Sequence, residues 1–184
     1  EAWECAADLA AHLRRTRPSA AHVLELGAGR GEPGSVALCG DARRVVFQDL
    51  DAETLQSVTA RSVARACARA GVPLRARRAR LLAGDWASLA ARLDAALVFD
   101  LVLAAETVYR LASLPAFVAL LRRALARRRR AAALVAAKTY YFGVGGGTLA
   151  FRSAVDAANR AAPGEPPDEP PGVSAKSHGL LVVP

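Results

Sequence analysis

The sequence predicts an α/β protein built on a doubly wound, mostly parallel sheet, and three observations carry that expectation. Short apolar runs alternate with longer segments whose apolar residues recur at helical spacing. The first run passes straight into Gly27-Ala28-Gly29-Arg30-Gly31. The second and third end in Asp49 and in Gly84-Asp85. Repeated strand-helix units make a parallel sheet with helices on both faces and right-handed crossovers, and ligands of such sheets sit at the carboxyl ends of the strands.

The elements follow in order. Trp3, Ala6, Ala7, Ala10 and Leu13 predict an opening helix over residues 2–15, closed by Pro18. His22–Leu26 and residues 44–48 read as buried strands, joined by a short crossover helix over 33–40. Residues 52–70 form a long Ala/Arg helix that ends at Gly71 and Pro73. The alternation continues through a third strand at Ala79–Ala83, a short helix at 87–93, a fourth strand at 97–105, a helix at 114–126 and a fifth strand at 131–137. A glycine-rich turn at 143–147 leads into a helix at 148–162. Residues 163–172 are rich in Pro and Glu, which predicts a flexible loop over 163–178, and 179–183 suit a last edge strand. The 184 residues are expected to form one domain, and no internal repeat is present.

Composition narrows the function classes. An apolar fraction of 53% with 23% charged residues excludes disorder for most of the chain. The +8 charge comes from 25 Lys+Arg against 17 Asp+Glu, but only Lys138 and Lys176 are lysines in an Ala-rich, Arg-rich chain. That bias discounts the basic charge as a nucleic-acid signal, and the Arg127 to Arg130 run suits a solvated helix end. Cys5, Cys39 and Cys67 are odd in number and lack C-x-x-C spacing, so neither a disulfide framework nor a zinc ribbon fits, and a reducing compartment is expected. His12, His22 and His178 form no ligand spacing, so no metal is expected. No apolar run is long enough to span a membrane. The lack of any Met, even at position 1, predicts a fragment or a processed chain.

The chemistry concentrates at the strand ends. Glycines at 27, 29 and 31 let the backbone turn tightly and approach a ligand at a helix N-terminus. A dinucleotide fingerprint would place glycine where Glu32 stands, so a pyrophosphate would meet a carboxylate there. Glu25, two residues before the first glycine, instead suits a ligand with an ammonium end, the E/D-x-G-x-G pattern of S-adenosylmethionine enzymes. A plain glycine turn between strand and helix is the competing reading. Asp49 can accept ribose hydroxyls, with Asp51 as a competitor that also suits a helix cap. Asp85 can accept an adenine amino group beside the flat face of Trp86, or the pair is a helix cap and a core tryptophan. Glu106 and Tyr109 follow the fourth strand, where they either serve a reacting group or simply cap and pack. The aromatics and glycines of 140–147 either turn the chain or shape a flap.

Trp3-Glu4-Cys5, Leu24-Glu25-Leu26-Gly27-Ala28-Gly29, Phe47-Gln48-Asp49, Gly84-Asp85-Trp86, Glu106-Thr107-Val108-Tyr109 and the run from Lys138 to Gly147 resemble the eukaryotic protein-histidine methyltransferases of the seven-strand class. The resemblance spans residues 2–155. It implies a Rossmann-like sheet of the class I S-adenosylmethionine methyltransferase type, with S-adenosylmethionine as cofactor. It also implies methyl transfer to a histidine of a large-subunit ribosomal protein, in the cytoplasm or nucleus, by a monomer without membrane or direct nucleic-acid contact. By position, cofactor contacts fall on Trp3, Glu4, Cys5, Glu25, Gly27, Gly29, Gln48, Asp49, Leu50, Gly84, Asp85, Trp86 and Ala105, and the catalytic pair is Glu106 and Tyr109. Ala104-Ala105 departs from a hydroxyl-bearing pair in the family, and the family's N-terminal region and full C-terminal hairpin are expected to be lacking. Glu106 stands where related lysine methyltransferases carry Asp, the departure that resembles the histidine-directed branch. The alternatives are a lysine-directed relative, a non-catalytic cofactor-binding remnant, and a nicotinamide oxidoreductase, the last disfavoured by Glu32.

Overall fold

A computed structural model describes residues 4–74, 78–93, 99–125, 131–161 and 180–183. In chain order the elements are α1 (Glu4–Thr16), β1 (His22–Leu26), α2 (Glu32–Cys39), β2 (Arg44–Asp49), α3 (Ala52–Thr54), a π-helical turn (Leu55–Thr59), α4 (Ala60–Arg69), β3 (Ala79–Ala83), α5 (Trp86–Arg92), β4 (Leu101–Ala105), a 3-10 turn (Leu111–Ser113), α6 (Leu114–Ala124), β5 (Ala132–Ala136), α7 (Thr148–Arg160) and β6 (Leu180–Val183). The sheet order is β3-β2-β1-β4-β5-β6. The first five strands are parallel, and β6 runs antiparallel along β5, with Ala133 opposite Val183 and Ala136 opposite Leu180.

The strands are apolar on both sides because both sides are covered. Leu24, Leu26, Val46, Val102, Ala104, Ala133 and Val135 pack with Phe117, Leu120 and Leu121 of α6 and Phe151 of α7. Their alternate neighbours Val23, Val45, Phe47, Leu101, Leu103, Leu134 and Ala136 pack with Leu9 and Leu13 of α1, Leu38 of α2, and Val63 and Cys67 of α4. Side chains alternate faces along a strand, so a continuous apolar run is what a two-sided core demands. Between β1 and β4 the chain order reverses direction across the sheet, which opens a crevice at their carboxyl ends.

Three details differ from the sequence expectation. The long helix over 52–70 is interrupted by the π turn, which delivers the buried Thr59 hydroxyl to the Gly29 carbonyl at 2.6 Å. The fourth strand spans Leu101–Ala105, with residues 97 and 98 of the expected run outside the described residues, and the Asp100 carboxylate before it accepts the Ala21 and His22 N–H groups at 3.1 and 2.9 Å. The crossover helix starts one residue early, at Glu32, with Gly31 as a left-handed N-cap. The three cysteines are free thiols; Cys39 and Cys67 lie 3.9 Å apart, and burial followed by Cys67 raises the Cys39 pKa to about 11. Trp3, the Arg127 to Arg130 run and the expected loop over 163–178 lie outside the described residues. Among the described residues no helix is long and apolar enough to cross a membrane, and no group of three or more His, Cys, Asp or Glu can hold a metal ion.

Candidate cofactor and acceptor site

At the end of β1 the backbone is left-handed at Gly27 and Gly29, with φ of 61° and 49°. Gly27 also needs the missing Cβ, which would stand 2.8 Å from the Thr107 methyl, whereas nothing lies within 4 Å of one at Gly29. The turn is held from β2. Gln48, almost fully buried, accepts the Gly27 N–H at 3.2 Å and the Trp86 indole N–H at 3.1 Å, and its amide donates to the Gly84 carbonyl at 2.8 Å. One side chain therefore ties three successive strand ends together. Asp49 accepts the Gly29 N–H at 2.9 Å.

The two acidic competitors separate by geometry. Asp51 caps the helix that follows, accepting from the Glu53 and Thr54 N–H groups and the Thr54 hydroxyl, and those bonds lower its pKa. Asp49 stays at the strand end beside the exposed Leu50. Asp85 is also an N-cap, accepting the Ser88 N–H at 2.9 Å, and hydrogen bonds from Ser88 lower its pKa. Trp86 packs half-buried against Phe117, ring centroids 4.8 Å apart. Glu25 lies beneath α2 rather than over the turn: it is 3% exposed and accepts the Gly34 N–H at 2.9 Å. A Cβ at residue 34 would overlap that carboxylate and the Phe47 ring, so the helix approaches only through a glycine. Burial is the main force raising the Glu25 pKa, to about 8. Glu32 points sideways, its carboxylate 3.8 Å from Arg14 of α1.

The ends of β4 and β5 build a second half. Ala105, half-buried, pairs in register with Ala136. Glu106 follows in a left-handed conformation, φ 56°, 8% exposed, its N–H bonded to the Ala136 carbonyl. The Tyr141 hydroxyl donates to Glu106 Oε2 and accepts the Lys138 backbone N–H at 3.2 Å. Burial first, then the Glu106 carboxylate, raise the Tyr141 pKa above its ordinary value, so the phenol keeps its proton. Cys5 of α1 faces the same carboxylate, and burial and that contact raise its pKa to about 12. Lys138 also pairs with Glu4 at 3.8 Å, so the start of α1 closes over this end of the sheet.

These groups border a cavity of about 400 Å³ lined by Glu106, Tyr109, Lys138, Tyr140, Tyr141 and Phe142, with Val144 at its rim. Tyr109, 38% exposed, meets Tyr141 edge-on at 6.2 Å, and the Arg110 guanidinium lies 5.4 Å from the Tyr109 ring. The glycine run is a brace: Gly146 N–H and Gly147 N–H donate to the Tyr109 and Val108 carbonyls at 3.0 and 2.9 Å. A Cβ at either glycine would overlap backbone, of Val108 and Tyr109 at 146 and of Thr139 and Tyr140 at 147. Phe142 is 92% exposed and meets the Tyr140 ring edge-on at 5.2 Å. Thr107 carried no role in the sequence reading, and Tyr141 only a share in the flap considered over 140–147, although both lie inside the motifs quoted for the resemblance. A larger, open cleft of about 810 Å³ lies between α1, α2 and α4, floored by Val23 and Leu101, and none of the site residues above lines it.

A family model described as lysine methyltransferase matches residues 3–141. Histidine protein methyltransferase 1 homologs of Bos taurus and Dictyostelium discoideum are 32% identical over 182 residues and 31% identical over 160 residues. The matches cover 85% and 86% of this chain and 48% of each relative, so the chain spans about half the length of the curated relatives it matches. Among solved structures, a ribosomal protein L11 methylase of Lactobacillus delbrueckii subsp. bulgaricus superposes with a TM-score of 0.59 at 17% identity, covering 97% of this chain and 78% of that one. That likeness shows the fold, a Rossmann-like α/β sheet, and the matching methyltransferase family makes S-adenosylmethionine the cofactor. The strand ends fit that cofactor. The space over Gly29 is open, the Asp49 carboxylate and the apolar Leu50 stand beside it, and the buried Thr107 hydroxyl at the Gly27 contact has no hydrogen-bond partner among the described residues.

Proposed function

Since this chain belongs to the lysine methyltransferase family, we propose that it methylates a protein substrate on a histidine ring nitrogen. The observation that carries this reading is Glu106, a buried carboxylate at the end of β4 that lines a cavity walled by Tyr109, Tyr140, Tyr141 and Phe142. The relatives named histidine protein methyltransferase support it from the sequence side.

When bound, S-adenosylmethionine supplies a sulfonium methyl, the electrophile for a neutral imidazole nitrogen. The chain's work is then to hold, orient and accept a proton. The Gly27-to-Gly29 turn gives close backbone approach, with Gln48 holding its shape. Asp49 accepts ribose hydroxyls, and Leu50 with the strand end at Gly84, Asp85 and Trp86 flanks the adenine. Glu4, Cys5 and Ala105 complete the contacts on the side where α1 meets β4, and Trp3 adds a further contact. Glu25, enclosed beneath α2, serves the site only indirectly, by accepting the Gly34 N–H and holding the helix that follows the turn. Glu106 accepts the N–H of the imidazole nitrogen that does not attack, which selects the tautomer, and takes up that proton as the ring becomes methylated. Tyr109 walls the ring, and Tyr140 and Phe142 bear on the polypeptide around it. One carboxylate oxygen for one N–H suits a neutral imidazole.

A lysine acceptor is the second reading, favoured by the description of the matching family model. The substrate proposed is a large-subunit ribosomal protein, met in the cytoplasm or nucleus by a monomeric enzyme. Titration calorimetry with S-adenosylhomocysteine, with NAD as control, tests the cofactor half. Saturable binding of the first alone, lost on Gly27→Arg, is expected, and equal binding by the variant would remove the assignment. Mass spectrometry of substrate proteins methylated by the chain then reads the acceptor, and methyl groups confined to lysine would replace histidine by the second reading.

A further inference from the structure

Glu106 has an unusual task for a side chain on a left-handed backbone: to present one carboxylate oxygen to a cavity in a fixed direction. Its own torsions do not supply that direction, because a glutamate has three rotatable side-chain bonds and a carboxylate at the wall of a cavity can rotate. The constraint comes from β5. Tyr141 stands in a loop whose backbone is fixed by its own N–H on the Gly146 carbonyl at 3.0 Å and by the Gly145 N–H on the Tyr141 carbonyl at 3.0 Å. Its hydroxyl accepts from the Lys138 backbone N–H and so has its one proton directed at Glu106 Oε2. The phenol ring itself lines the cavity and meets Tyr109 edge-on.

We infer that Tyr141 is a positioning residue for the acceptor, clamping the Glu106 carboxylate through Oε2 so that it meets an imidazole N–H in a fixed direction. This rests on the reading of Glu106 given above. The chain of bonds from the Lys138 backbone through the Tyr141 hydroxyl to Glu106 joins the exit of β5 to the exit of β4, so the carboxylate is held by the sheet rather than by its own rotamer. The cost of a misplaced group in an acceptor site is steep, since productive geometry tolerates shifts well under an ångström. The raised pKa of the phenol agrees with a donor that never loses its proton in the working range.

Tyr141→Phe removes the hydroxyl while keeping the ring and every backbone bond of the loop. The probe is 4-methylimidazole, titrated by NMR into the chain saturated with S-adenosylhomocysteine, at a pH where the probe is neutral. Tyr141→Phe and Glu106→Gln are each expected to weaken the probe about tenfold, as for loss of a hydrogen bond involving a charged partner. The double variant is expected to bind no worse than Glu106→Gln alone, S-adenosylhomocysteine affinity is expected to stay at the wild-type value, and melting temperature is expected to fall by no more than the loss of one buried hydrogen bond brings. A probe weakened by Glu106→Gln but not by Tyr141→Phe would overturn the positioning role and leave the acceptor reading intact. A probe indifferent to both would overturn the acceptor reading, and the positioning role with it. Losses that multiply in the double variant would show that Tyr141 acts on the ligand directly, and would also overturn the inference.

Discussion

At the residue scale, Glu25 shows how one position serves fold and site with opposing demands. Its carboxyl is enclosed by α2 and the Phe47 ring, with the Gly34 N–H as its hydrogen-bond donor, and burial raises its pKa to about 8 from an ordinary value of 4.5. The folded chain therefore holds a proton that the unfolded chain gives up across that interval. Stability is fully present below the ordinary carboxyl range and falls as pH rises towards about 8, by a few kcal/mol in order of magnitude. Glu25→Gln keeps the acceptor for Gly34 and the volume but cannot ionise. Denaturant melts across this range should show that slope in the wild type and its loss in the variant, which should also be the more stable protein at the alkaline end. Matching slopes in the two proteins would mean that Glu25 is ionised in the fold. The acid before the glycines was legible in the sequence; its burial was not, because that depends on a helix glycine nine residues later and on a phenylalanine of the next strand. Likewise Asp49 and Asp51 are two residues apart and chemically alike, and only the cap bonds to Glu53 and Thr54 separate them.

At the element scale, the alternation of strands and helices was legible because β1, β2, β4 and β5 are apolar on both faces, and a Gly or an acidic residue breaks the run after β1, β2 and β4, as Lys138 does after β5. The last edge strand was also expected, and β6 occupies it in antiparallel register. The π turn was not legible, since it arises from the tertiary bond between Thr59 and the Gly29 carbonyl. The glycine run at 143–147 left two readings open in sequence. In the structure, it turns the chain and docks backbone to backbone on residues 108–110. A methyl group at residue 146 has no space to enter, because the Val108 and Tyr109 backbones occupy it. Gly146→Ala should destabilise the chain by about 1–3 kcal/mol, the range for forced backbone displacement. It should also raise hydrogen exchange across 139–147 while leaving S-adenosylhomocysteine affinity in place. Unchanged exchange in that loop would show that the brace has slack.

At the scale of the whole molecule, the switch between β1 and β4 divides labour across the sheet. The β1–β3 side carries the glycine turn, Gln48, Asp49 and the Gly84 carbonyl, the groups proposed for a nucleoside and an amino acid end. The β4–β5 side carries Glu106, Tyr141 and the exposed aromatics, the groups proposed for an acceptor and the polypeptide around it. The halves touch where the Thr107 methyl meets Gly27 and where α1 brings Cys5 to Glu106. Such a division predicts that damage on one side reads out differently from damage on the other. Gln48→Leu strips the partners from the Gly27 N–H, the Trp86 indole and the Gly84 carbonyl, so it should lower stability by about 2–4 kcal/mol and abolish S-adenosylhomocysteine binding. Phe142→Ser alters a side chain already 92% in solvent, so melting and cofactor affinity should not move. Methyl transfer to a folded protein should nevertheless fall, because the surface beside the acceptor cavity loses its largest apolar contact. Calorimetry, thermal melts and incorporation of labelled methyl groups on both variants decide the matter together. A Phe142→Ser protein that loses the cofactor, or a Gln48→Leu protein that keeps it, would mean that the two sides of the sheet are not separable and that the acceptor loop helps to form the cofactor site.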